Sequence, residues 1–164
     1  MNPAISFRIK AAYRKRGRHE LMSRAVAAAL TAGNPDVLAQ NKPLCMSIVL
    51  THDQELRDLN RAYRGIDKPT DVLSFEGGDV DRTAAAQDNP HNLGDIIVSM
   101  DQCSINAQRA GHDEDDELAL LIVHGTLHLV GFDHMNKVDK ARMWSVQKWA
   151  LIALPLSSSF KFPR

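Results

Sequence analysis

The stretch His-Gly-Thr-Leu-His-Leu-Val-Gly-Phe-Asp-His, residues 124–134, gathers three of the chain's seven histidines. His124 and His128 are four apart, so on a helix their side chains share one face. Gly131 follows, and glycine adopts the left-handed backbone that ends a helix. His134, three residues further on, then folds back toward the other two. The neighbours Leu127, Leu129 and Val130 offer imidazole nothing to hydrogen-bond, and an unpartnered buried polar group is costly. A metal ion satisfies all three rings at once. Three neutral nitrogen donors suit zinc, one ion per chain, and leave one of its four tetrahedral positions open. No cysteine lies nearby to close the site as structural zinc sites are closed. Zinc brings the pKa of a bound water to about 7, so the pattern predicts hydrolysis.

The spacing H-x-x-x-H-x-x-G-x-x-H is similar to that of the metzincin proteases, which carry glutamate after the first histidine as general base. Here that position is Gly125, and glycine takes no proton. The zinc spacing is present without the peptidase base. Asp133, beside the third histidine, is the nearest carboxylate. It can orient a water, hold a ligand histidine, or form the turn.

These side chains need elements to hold them. The chain has 164 residues, 44% hydrophobic and 24% charged, which suits one folded domain with a core of its own. Its formal net charge is zero, so any nucleic-acid site must be local. Cys45 and Cys103 lie far apart and in no CxxC pattern, as expected of reduced cysteines in a cytosolic protein. No apolar run is long enough to span a membrane, and the start, MNPAISFRIK, lacks a signal-peptide core. A cytoplasmic protein without a membrane partner is expected.

Alternation predicts a strand over 4–9, and further strands are expected over 44–51, 71–76 and 93–100. Helices are expected over 20–34, over 52–65 capped by Thr51 with Gln54 as a capping box, and over 101–111. Residues 113–131 read as a helix with an acidic first turn and a middle apolar almost all round, hence central and buried. Residues 138–154 form an amphipathic helix ended by Pro155. A polar loop is expected over 77–92 and a frayed tail from about 156. Lys10, Arg14, Lys15, Arg16 and Arg18 form a basic cluster, either a solvated face or a phosphate contact. The fold class expected is α+β over residues 1–164: a small mixed sheet packed by helices, with a central buried helix carrying the histidines.

Three blocks resemble the YbeY family of bacterial zinc-dependent endoribonucleases, which act in ribosomal RNA maturation and ribosome quality control. They are LNRAYRGIDKPTDVLSF at 59–75, LGDIIVS at 93–99, and the histidine stretch, with Phe132 where tyrosine is usual. The likeness runs from about residue 45 to 135. The last helix departs from the family in lacking the glutamates usual after the zinc motif. The resemblance implies that His124, His128 and His134 bind zinc and that Arg64 is the functional arginine. It implies an endoribonuclease of single-strand type acting on ribosomal RNA, with the ribosome or ribosome-associated proteins as partners. The residues themselves leave Arg64 two roles. It ends a helix before a Pro turn, where its guanidinium can grip phosphate at two points or simply offset the helix C-terminus. Lys68 is a second candidate phosphate contact. With aromatics at 5%, RNA contact should fall mainly on the backbone and be sensitive to salt. Two other functions fit the same residues: a metallopeptidase, against which Gly125 counts, and a ribosome-assembly factor whose zinc only holds the fold.

Overall fold

The structure, a computed structural model, describes residues 4–39, 43–77 and 91–162. In chain order the elements are β1 (Ala4–Ile9), α1 (Arg18–Gly33), α2 (Pro35–Ala39), β2 (Leu44–Thr51), α3 (Asp53–Arg64), β3 (Val72–Glu76), β4 (His91–Ser99), α4 (Met100–Ala110), α5 (Glu114–Leu129) and α6 (Lys137–Ile152). Among the described residues the strands form one sheet in the order β1-β2-β4-β3. β1, β2 and β4 run parallel, and β3 pairs antiparallel to β4 at the edge. The architecture is the expected α+β arrangement with a small mixed sheet. No described helix is long and apolar enough to cross a membrane.

α5 is buried nearly all round, because Leu118, Ile122, Val123 and Leu127 reach no solvent. It packs against α1, α4 and α6, and against β3 and β4 of the sheet. This is the central helix its apolar middle predicts. Its acidic first turn is held from outside: Arg18, 5% exposed, bonds Glu114 and reaches Asp115 at 3.0 Å, and Lys15 also bonds Asp115. Lys10 pairs with Glu55 at 2.9 Å. Three members of the basic cluster, Lys10, Lys15 and Arg18, are therefore paired with acidic side chains.

Several boundaries differ from expectation for local reasons. Thr51 is the buried last residue of β2, not the cap of α3; the cap is His52, whose ring accepts from the Glu55 amide at 3.4 Å. Thr51 instead donates to the Glu55 carboxylate at 2.6 Å. Asn34 and Pro35 stop α1 as predicted and also start α2, with Asn34 Oδ1 accepting from Val37 N at 3.3 Å. β4 begins at His91, two residues early, and the rest of the expected loop, 78–90, lies outside the described residues. The tail expected to fray from about 156 is docked instead. Ser157 bonds Asp116 through its amide, at 3.1 Å, and its hydroxyl, and Phe160 stacks on His112 with centroids 5.0 Å apart.

Candidate metal centre

His124 and His128 leave the last turns of α5 side by side, as their spacing requires. The helix ends at Leu129, and Gly131 takes φ +90°, the left-handed turn expected of it. His134 returns to the other two, and one nitrogen from each of the three rings lies within 4.8 Å of the others. The Nε2 atoms of His124 and His128 are 3.1 Å apart. Nitrogens bound to tetrahedral zinc at about 2.0–2.1 Å lie roughly 3.4 Å from one another, so this donor set fits such an ion.

Two of the rings, those of His124 and His128, are suited to be neutral donors. Burial lowers the pKa of His124, against the pull of its bond to Gln147. Burial, then repulsion from His124 and His134, lowers His128 to about 4. Trp144 walls the cluster, edge-on to His124 at 6.0 Å and to His134 at 5.7 Å. Asp133 Oδ1 accepts from the His134 amide at 2.7 Å, so the turn-forming role weighed for it is in use.

The cluster forms one wall of a cleft of about 730 Å³. β3 also lines it, through Val72, Ser74 and Glu76, as does Asp71 just before the strand. Arg64 also lines the cleft, although it lies sixty positions before His124. The turn after it is pinned from α3: buried Asn60 donates to the Lys68 carbonyl at 2.9 Å, and Arg57 grips Asp67 at 2.8 and 3.0 Å. Lys68 itself is exposed in that turn and is not among the residues lining the cleft. Asp95, on β4, accepts from the Ser47 hydroxyl and does not line the cleft either.

Gly125 has a packing reason. A Cβ there would lie 3.0 Å from Ser74 Oγ and 3.1 Å from Ile96 Cγ2. Ser74 and Ile96 are paired across β3 and β4, and Ser74 donates to the Gly125 carbonyl at 3.2 Å. The central helix thus rests its backbone on the sheet at the position where metzincins carry their base.

The sequence reading missed Gln147 and did not single out Asp71. Gln147, 3% exposed on α6, places Oε1 2.9 Å from His124 Nδ1. Its signal was available: with Met143, Ala150 and Leu151 it occupies the buried face of an amphipathic helix, where a polar residue needs a partner. Asp71 bonds the Val72 amide at 2.8 Å and Asn106 at 3.2 Å while bordering the cleft.

Comparison with known proteins places these features. The family model described as "Endoribonuclease YbeY" matches residues 8–154. A protein of that name from Roseiflexus castenholzii is 44% identical over 138 residues, 84% of each chain. Another from Halalkalibacterium halodurans is 43% identical over 118 residues, 70% of this chain and 74% of its own. Among solved structures, the solution structure of a Thermotoga maritima protein has the same fold, with TM-score 0.54 and 24% identity, covering 90% of this chain and 88% of that one.

Proposed function

The chain belongs to the YbeY family, and from that premise we propose that it is a zinc-dependent endoribonuclease hydrolysing phosphodiester bonds of single-stranded segments in ribosomal RNA. It would act in the cytoplasm, as one domain, in ribosome maturation and quality control beside the ribosome or its associated proteins. The observation that carries the reading is the convergence of three imidazoles within 4.8 Å on one wall of a cleft that Arg64 also lines. His124, His128 and His134 would hold one zinc ion, which supplies Lewis acidity and an activated water. Arg64 would bind the scissile phosphate through two hydrogen bonds and stabilise the negative charge that grows on its oxygens. Asp133, with Oδ1 committed to the His134 amide, would orient a water through Oδ2. Lys68, outside the cleft, would contact a phosphate further along the strand. Gly125 weighs against peptide hydrolysis, since it offers no base and a Cβ there would already be tight against Ser74 and Ile96.

The test is single-turnover cleavage of structured ribosomal RNA, with zinc content and thermal melts on the same samples. Wild type should cut. His128→Ala should lose most of its zinc and its cleavage together. Arg64→Ala should keep zinc and fold while cleavage falls about 30- to 1,000-fold, the equivalent of roughly 2–4 kcal/mol in the transition state. Arg64→Lys should recover part of that, since an ammonium lacks the two-point grip. Zinc-loaded wild type that leaves RNA intact, or His128→Ala that cuts normally, would overturn the reading.

A further inference from the structure

Gln147 belongs to α6, which contributes none of the three histidines, yet its side chain is turned inward to His124. An amide oxygen only accepts hydrogen bonds. The 2.9 Å contact between Gln147 Oε1 and His124 Nδ1 therefore requires the proton on Nδ1. A neutral ring protonated there carries its lone pair on Nε2, and Nε2 is the atom that faces His128 Nε2 at 3.1 Å. With the amide reversed, its NH₂ would donate to Nδ1 and force the proton onto Nε2, aimed at the other ligands. One orientation of this buried amide prepares a ligand and the other blocks it.

We propose that Gln147 is a positioning residue of the metal centre: its carbonyl selects the His124 tautomer that offers Nε2 to the ion and fixes the plane of the ring. The inference rests on the metal-binding reading above and adds a further residue to it. The acceptor's chemistry has a second consequence. A second cavity, of about 180 Å³, is bordered by His124, Gln147, Asp71 and Glu117. Two carboxylates thus border a cavity that the imidazole also lines, but the neutral amide holds Nδ1. A neutral acceptor leaves the ring less basic than a carboxylate would. Gln147 therefore orients His124 without raising its donor strength fully, and a carboxylate in its place should tighten the metal.

Two measurements decide this. Nitrogen-15 NMR of the metal-free protein should show His124 protonated on Nδ1 in the wild type and in Gln147→Glu, and a mixture of tautomers in Gln147→Leu. Zinc affinity, read by competition with a chromophoric chelator at pH 7, should fall about 10- to 100-fold in Gln147→Leu and be equal to wild type or tighter in Gln147→Glu. Gln147→Leu that binds zinc as wild type does, with only a lowered melting point, would reduce Gln147 to packing and sink the inference while leaving the metal centre intact. Wild-type His124 protonated on Nε2 would sink it too, and that observation needs no variant to fold. Wild type that binds no zinc would overturn both the inference and the metal-centre reading.

Discussion

Two adjacent residues on α5 answer to opposite demands. His124 must meet polar partners, whereas Gly125 must meet a sheet at backbone distance. The space at Gly125 is tight, because a Cβ there would lie 3.0 Å from Ser74 Oγ and 3.1 Å from Ile96 Cγ2, side chains of two residues paired across β3 and β4. Gly125→Glu, which restores the metzincin letters, should push α5 off the sheet and bury a carboxylate among apolar groups. We expect a loss of roughly 3 kcal/mol or more and no peptidase activity. Melting curves and a peptide-hydrolysis assay check this; a variant as stable as wild type would mean that the sheet yields.

Helices reach the site through their ends, so the ends must be tied down. α5 delivers its histidines from its C-terminus, and α1 clamps its N-terminus through Arg18 on Glu114 and Asp115. Burial pushes the Asp115 carboxyl up, but the bonds from Lys15 and Arg18 outweigh it and hold the pKa below the usual 3.8. A carboxylate depressed on folding contributes its stabilisation above the unfolded value and loses it as pH falls through the folded one. Arg18→Met should therefore cost roughly 2 kcal/mol at pH 7, and the gap should narrow at pH below 3.8 as Asp115 protonates. Melts of both proteins across that range test it; a gap independent of pH would assign the effect to packing alone. At the other end of the site, Asn60 and Arg57 tie the turn after α3, which holds Arg64 at the cleft by bonds that Arg64 itself does not make.

At the scale of the molecule, the core and the histidine cluster are separate assets. Met22, Leu30, Ile48, Ile96, Leu118 and Ile122 are fully buried in one core with α5 at its centre, while His134 is exposed at the cleft. Chelation should therefore leave a folded protein that no longer cuts RNA. Its helical circular dichroism should persist, with a melting point lower by about 10 °C, since a ligand at a thousandfold excess over its Kd stabilises by roughly 4 kcal/mol. Cooperative unfolding on metal removal would instead make the ion structural and favour an assembly factor over a nuclease.

The convergence of the three histidines was readable from the sequence because it is local. A four-residue step on a helix and a left-handed glycine determine how His124, His128 and His134 converge before any other element is placed. The central position of α5 was readable for a related reason: a helix apolar on every side has nowhere else to go. What the sequence could not determine is what each face meets. Gln147 and Arg64 enter the site from α6 and α3, and their places follow from how those helices dock. Gly125 looked like a missing base, and only the β3–β4 register beneath it shows a packing position. Thr51 and the tail failed for the same reason. Thr51 has the chemistry of a cap but lies in a strand paired with β4, and Ser157 and Phe160 are held by Asp116 and His112, 41 and 48 residues away in the chain. Periodicity and turn chemistry act over a few residues; the partner across a packed interface is selected by shape and hydrogen bonding among segments that meet only when the chain is folded.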